Sequence, residues 1–326
     1  MRFQFYSEAL DNVPKLSVDG TVENSIHFSH WQGNTTPAEV KADTSTEIAL
    51  NLVASTNRAA LTNGIDLVVN NHFDTDGVLS VWTVLNGERA LAYRDLLISA
   101  AEAGDFSEHT SDDGVKVSIA IQGADQATPN KIEGSPLAGM IAGELFDDDE
   151  RAYELVLPQV ERLLSDVNAF EPLWRDGWNA VAEALDSFAS GDSRVVENEA
   201  SRISLITLKG GLWSPFAAIS KHARGEMFLI ATPASDGWFY RLDYPYYSWA
   251  ETVVRPRIPR RDLTNALATL NDKETNRDGR WKTDNREMTS AVKFLNADGT
   301  FGVSRLAPDD VLAALSTQHK VQSTTF

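Results

Sequence analysis

Cysteine is absent from all 326 residues. That absence excludes disulfides, thiolate metal ligands and cysteine nucleophiles, so any metal held by this chain must be held by Asp, Glu and His. No stretch approaches the roughly 18 apolar residues that a membrane-spanning helix needs. Positive charge is scarce: 29 Lys and Arg stand against 47 Asp and Glu, a formal net charge of −18. Nucleic acid and membrane surfaces are themselves anionic and are repelled at long range by such a chain, which argues against a long nucleic acid or a membrane as partner. Local binding of phosphate stays open. The N-terminal Met1-Arg2-Phe3-Gln4-Phe5-Tyr6-Ser7-Glu8 lacks a cationic segment leading into an apolar run, and the expectation is a soluble cytoplasmic protein. Apolar residues at 42% and charged residues at 23% are ordinary for a globular chain. The length exceeds one average domain of about 150 residues, so two domains are expected, over 1–200 and 201–326.

What is present centres on Leu67 to Ser80, an apolar run that turns polar where His72, Asp74 and Asp76 fall at two-residue steps before Gly77. In an extended strand alternate side chains share a face, so these three would project together at a strand end. Gly77 stands where the chain must leave the sheet, a position that suits free backbone dihedrals. Carboxylate oxygen and imidazole nitrogen are ligands for a hard divalent cation, and paired carboxylates serve two ions roughly 3.5–4 Å apart. The residue pattern therefore points to a metal-dependent hydrolytic site. A turn-forming or helix-capping pair of aspartates is the bland alternative.

Strand signals precede this stretch at Leu16 to Gly20 and at Ser25 to Trp31, and Asp43 to Glu47 reads as the capped start of a helix through Val53. Leu67 to Val69 reads as a strand covered on both faces, and Val78 to Leu85 as the next helix. Ala90 to Ala103 has helical periodicity with Gly104 as its stop, and Val115 to Ile121 has the texture of a strand. Helices are expected over 144–164, interrupted near Pro158 and opening on the acidic run Asp147 to Glu150, and over 174–188. Gly191 to Ser201 reads as a polar connection. Strands are expected at Ile203 to Leu208, Met227 to Ala231 and Trp238 to Leu242, then a helix capped by Asp262, a hairpin near Trp281, Phe294 and Gly299, and a helix over 308–315. The predicted fold class is α/β, a mainly parallel sheet with flanking helices, followed by a smaller α+β domain.

His72-Phe73-Asp74-Thr75-Asp76-Gly77 resembles the first signature of the DHH phosphoesterases, His-x-Asp-x-Asp followed by Gly or Ala at a strand end. Two further matches accompany it. Ser29-His30-Trp31 is similar to that family's Asp-His-His triplet, keeping only the histidine that serves as a metal ligand, and Ser45-Thr46-Glu47 is similar to the helix start that follows it. Asp19, after Val18, matches the strand-end aspartate that bridges both metals. Asp105 is a candidate fourth aspartate or simply a polar residue after a glycine stop. The likeness spans residues 15–106, and the motif order is permuted: His-x-Asp-x-Asp comes first in the family and last here. The family's Gly-Gly substrate motif is not matched, since Gly210-Gly211 lacks the histidine pattern that follows it. The resemblance implies hydrolysis of phosphoester or phosphoanhydride bonds with two Mn²⁺ or Mg²⁺ ions held by His72, Asp74, Asp76, His30, Asp19 and Asp105. A haloacid-dehalogenase-type phosphatase is the rival, with Asp74 as nucleophile, because Asp74-Thr75-Asp76-Gly77-Val78-Leu79 also fits its motif. A catalytically degenerate nucleotide-binding protein is the third reading.

Four arginines in seven residues, Arg255, Arg257, Arg260 and Arg261, stand out in so acidic a chain. Guanidinium forks bind phosphate oxygens bidentately, so Arg255, Arg257 and Arg260 are candidate substrate contacts supplied by the second domain, with pairing to the abundant carboxylates as the alternative. The aromatic segment Tyr244 to Trp249 is either a stacking surface for a nucleobase or core. The expected substrate is a small phosphorylated molecule or nucleotide.

Overall fold

The computed structural model describes residues 1–122, 148–211, 214–283 and 289–316. The chain divides into two compact units, one formed by Met1–Asn179 with Trp249–Arg257, the other by Ala180–Ser248 with Ile258–Phe326.

The first unit is built on four short strands, β1 (Arg2–Phe3), β2 (Leu16–Val18), β3 (Ile26–Phe28) and β4 (Leu67–Val69), all parallel and ordered β1-β4-β2-β3. The apolar run at β4 has a direct structural reason. Val68 packs into the main helical core, whereas Leu67 and Val69 point to the other face and pack with Leu10 and Val22, the period-2 alternation of a strand buried on both sides. The helices are α1 (Ser45–Ala54), α2 (Arg58–Leu61), α3 (Thr75–Asn86), α4 (Arg94–Asp105), α5 (Asp112–Gln122), α6 (Asp149–Val156) and α7 (Val160–Ser165). Ile48 and Leu52 of α1, Val78 and Val81 of α3, Leu97 of α4 and Val117 of α5 share one core with Leu16, Val18 and Phe28.

The expectations for the segments around residues 115–121 and 90–104 are corrected here. Val115 to Ile121 is not a strand but the body of α5: Ser111 accepts the Gly114 N–H at 3.0 Å and Asp112 and Asp113 fill the first turn, a start signal that outweighs the β-branched residues after it. The helix expected from Ala90 begins at Arg94, after a 3₁₀ segment over Gly87–Tyr93, and runs through Gly104 to Asp105. Gly104 is not a stop but a close approach, since a Cβ there would meet Thr75 Cβ at 2.6 Å. The helix interrupted near Pro158 appears as α6, a 3₁₀ turn over Leu157–Gln159 and α7; its expected start at 144–147, including Asp147, lies outside the described residues.

α8 (Glu171–Ser190) follows in the chain. The second unit carries a mixed six-stranded sheet, β5 (Arg194–Asn198), β6 (Ile203–Thr207), β7 (Met227–Ala234), β8 (Gly237–Asp243), β9 (Gly279–Thr283) and β10 (Ser290–Asn296), ordered β5-β6-β7-β8-β10-β9, with only the β6/β7 pair parallel. α9 (Phe216–His222), α10 (Thr264–Lys273) and α11 (Pro308–Ser316) complete it. The polar connection expected over 191–201 contains β5, whose side chains are mostly exposed because it is an edge strand. The molecule is α/β, with a parallel sheet in the first unit and an α+β arrangement in the second. Among the described residues no helix is long and apolar enough to cross a membrane.

Candidate metal centre

Parallel neighbours β4, β2 and β3 end at one edge of the sheet, and each delivers a polar residue there. β2 runs into Asp19, fully buried and left-handed at φ 61°. Aspartate tolerates that region better than most side chains, and a non-glycine residue held there marks a backbone fixed by its surroundings. β3 leads through Ser29 to the buried His30. β4 ends at Val69, and the chain turns through 70–73 into α3.

His72, Asp74 and Asp76 therefore do not line one face of an extended strand, as their spacing predicts. Asp74 is the N-cap of α3, accepting the Gly77 N–H at 2.7 Å, and Asp76 sits in the first helical turn. Convergence comes from a strand-to-helix turn. The capping role and a ligand role coexist, because capping uses only Oδ1 of Asp74.

Two overlapping ligand sets result. Asp19, His30, Asp76 and Asp105 form one, and Asp19, His72 and Asp74 the other; within each set the potential ligand atoms lie within 4.8 Å of one another. Asp19 serves both with different oxygens: Oδ1 is 3.4 Å from His30 Nε2, and Oδ2 is 3.0 Å from His72 Nε2. His30 Nε2 is also 3.1 Å from Asp105 Oδ2 and 3.8 Å from Asp76 Oδ2, and His72 Nε2 is 3.1 Å from Asp74 Oδ2.

A supporting layer fixes these groups. Asp76 accepts the Ser45 and Thr46 N–H groups at the α1 N-terminus, at 2.6 and 2.7 Å, and Ser45 Oγ donates to Asp19 Oδ1 at 2.8 Å. His30 Nδ1 lies 2.7 Å from the Asp43 carbonyl, which can only accept, so Nδ1 carries the proton. Nε2, though close to Asp105, is buried without a hydrogen bond of acceptable geometry.

Burial raises every carboxyl in this cluster, and only specific contacts reverse it. For Asp19 the contacts with His30 and His72 prevail over burial and hold it well below the usual range. Asp76 is pushed up to about 7 by burial and by the charge of Asp19. Asp105 rises well above normal from burial and from Asp74 and Asp76, and Asp74 is raised by burial and Asp19. Burial alone would depress both histidines, but the neighbouring carboxylates raise His30 and take His72 to about 11. So much carboxylate in so little space is neutralised either by protons or by cations. An orphaned imidazole nitrogen facing three carboxylates, with its other nitrogen fixed by a carbonyl, fits a hard, oxygen-preferring divalent ion. The Asp-His-Asp-Asp set and the Asp-His-Asp set could each hold one.

The arginines are dispersed. Arg255 lies in the first unit, its guanidinium bonded to Asp43, Glu102 and Glu108 and 4.9 Å from the Phe106 ring, while Arg257 is exposed. In the second unit Arg260 lies 4.0 Å over Tyr244 and Arg261 bonds Glu226 and the Ser201 carbonyl. The aromatic segment divides too: Tyr244 is core of the second unit, and Trp249 meets the His30 ring edge-on at 5.0 Å. Trp31, 5.1 Å from the His72 ring and 5.9 Å from Trp249, completes an aromatic wall beside the cluster. Asn70, fully buried and bonded to Tyr153 Oη, and the acidic pair Glu102 and Glu108 were not singled out by sequence; no spacing rule links them to the ligands.

Among solved structures, the chain is similar to one described as "pGpG-specific phosphodiesterase - PggH from Vibrio cholrae", with TM-score 0.35 and 12% identity, covering 78% of this chain and 80% of that one. No curated protein matches in sequence. The family model described as "Family of unknown function (DUF6687)" matches residues 1–315, and the chain belongs to that family.

Proposed function

We propose that this protein is a metal-dependent hydrolase of phosphoester or phosphoanhydride bonds, acting on a small phosphorylated or nucleotide substrate. The observation that carries the reading is the pair of ligand sets joined by Asp19. Sharing one carboxylate between two three- or four-residue sets suits a two-ion centre, and packing alone does not call for four aspartates, two of them fully buried, and two histidines at one sheet edge. Asp19, His30, Asp76 and Asp105 would hold one Mn²⁺ or Mg²⁺ ion, and Asp19, His72 and Asp74 the other. When bound, such ions supply Lewis acidity toward a phosphoryl group and an activated oxygen nucleophile at neutral pH.

The chain's own residues do the positioning. The α1 N-terminus fixes Asp76, Ser45 orients Asp19, and the Asp43 carbonyl sets the His30 tautomer. His72 and Asp74 are about a quarter and a third exposed, so the three-residue set is the side open to substrate. Trp31 and Trp249 border it with rings set nearly perpendicular, and either ring face offers an apolar contact to a base or other planar group. An aspartyl nucleophile at Asp74 is less well supported, since one of its oxygens caps α3 and the other faces His72.

Assay of a panel of small phosphoesters and phosphoanhydrides with Mn²⁺ and Mg²⁺ tests the reading. Asp76→Asn is expected to lower turnover by more than about 100-fold, since losing even an outer supporting residue costs 10–100-fold. Turnover unchanged in that variant, with the fold intact, would remove Asp76 from the site. A chain that binds nucleotide but carries no ion and turns nothing over would favour the degenerate binding protein.

A further inference from the structure

Arg255 stands more than 200 residues after Asp43 in sequence, yet its backbone amide and its guanidinium both bond the Asp43 carboxylate. Three successive backbone amides, of Val253, Val254 and Arg255, donate to the Asp43 carboxylate, and Arg255 Nη1 donates to Asp43 Oδ2 at 2.8 Å. The same guanidinium reaches Glu102 Oε1 at 2.6 Å and both oxygens of Glu108, with Nε at 3.1 and 3.2 Å. These partners are not arbitrary. The Asp43 carbonyl holds His30 Nδ1, Glu102 lies one turn before Asp105 in α4, and Glu108 lies three residues after it. The Phe106 ring beneath the guanidinium also faces His30, at 5.6 Å between centroids. The rest of the returning segment behaves alike: the Glu251 N–H donates to the His30 carbonyl at 2.8 Å, and the Glu251 carboxylate accepts from Gly33 N and Asn34 Nδ2.

We infer that Arg255 is a positioning residue for the four-ligand cation subsite, tying the segment that bears His30 to the segment that bears Asp105. The inference rests on the metal-centre reading and extends it to a residue that touches no ligand atom. A fork with five donors can span three carboxylates, whereas a lysine ammonium cannot hold the same directions. The subsite without Arg255 would keep its four ligands but lose the strut that sets their separation.

Charge and positioning predict opposite signs. If Arg255 acted only through its field, removing a cation beside the cluster would tighten the binding of a dication. If it positions His30 and Asp105, removal weakens binding at their subsite and spares the other. Calorimetric titration of the full chain with Mn²⁺ reads this directly. The expected result is two ions for the wild type, and for Arg255→Met a loss of about 10- to 100-fold in one step with the other unchanged. Arg255→Lys should fall between them. His72→Ala should lose the complementary step. Binding that is unchanged or tighter in Arg255→Met overturns the inference, as does equal weakening of both steps. A second readout needs no metal. The His30 Nδ1–H, protected by its bond to Asp43, should give a slowly exchanging imidazole proton signal in the metal-free wild type and lose protection in Arg255→Met. Protection that persists overturns the positioning role. A wild type that binds no Mn²⁺ while Arg255→Met still frees this proton would overturn the metal centre and leave the positioning of His30 standing.

Discussion

Asp19 carries the two-ion reading at the scale of single residues, because its two oxygens face different histidines. Asp19→Asn should therefore abolish both steps of a Mn²⁺ titration, whereas His30→Ala and His72→Ala should each remove one; an Asp19→Asn chain that keeps either step at wild-type affinity would contradict a shared ligand. Protons set a second expectation. Burial and the charge of Asp19 raise the Asp76 carboxyl to about 7, so below that pH it holds a proton that a cation must displace. Affinity for Mn²⁺ should then rise as pH increases through about 7, with proton release detectable as a dependence of the binding heat on buffer ionisation enthalpy. At this scale the sequence singled out most readily the candidate ligands that are neighbours in the chain. His72, Asp74 and Asp76 fall within five residues, and His30 and Asp19 stand at strand ends. Asp43, Glu102 and Glu108 carry no such mark, because their importance lies in contacts made across space to a residue near position 255.

Elements were legible where one physical signal dominated. The buried strand β4 and the capped helix α1 follow from apolar alternation and from Thr44, which accepts the Glu47 N–H. α5 was not, because Val115, Val117, Ile119 and Ile121 alternate like a strand while the cap that settles the matter lies outside the run. β5 was hidden by its polar, edge-strand composition. At the end of α10, the buried Glu274 joins several elements: it accepts from Ser304 Oγ, from the Asn276 and Arg305 amides and from Trp281 Nε1. Burial alone would raise its pKa, but these donors prevail and hold it below the ordinary glutamate value of 4.5. A depressed carboxyl stabilises the fold at neutral pH, and that contribution disappears as pH falls from 4.5 through the lower folded value. Melting temperature should thus drop on the acid side of 4.5, and Glu274→Gln should flatten that drop while lowering stability at pH 7. An acid limb of unchanged steepness in the variant would assign the effect to other carboxylates.

For the whole molecule, a formal charge of −18 repels an anionic substrate at long range. Raising ionic strength from about 10 mM to 150 mM shortens the screening length from about 30 Å to 8 Å, so kcat/KM for a phosphorylated substrate should increase with salt at saturating metal. A fall instead would show that a local positive field governs the encounter. The α/β class was legible from the order of strand and helix signals, since the alternation over the first hundred residues leaves few other layer arrangements. The return of Trp249–Arg257 to the first unit was not, as nothing in its composition distinguishes it from the arginines that follow in the second. That return makes the first unit discontinuous in the gene. Residues 1–200 expressed alone would lack Trp249, Glu251 and Arg255, and no single break in the coding sequence releases that half whole.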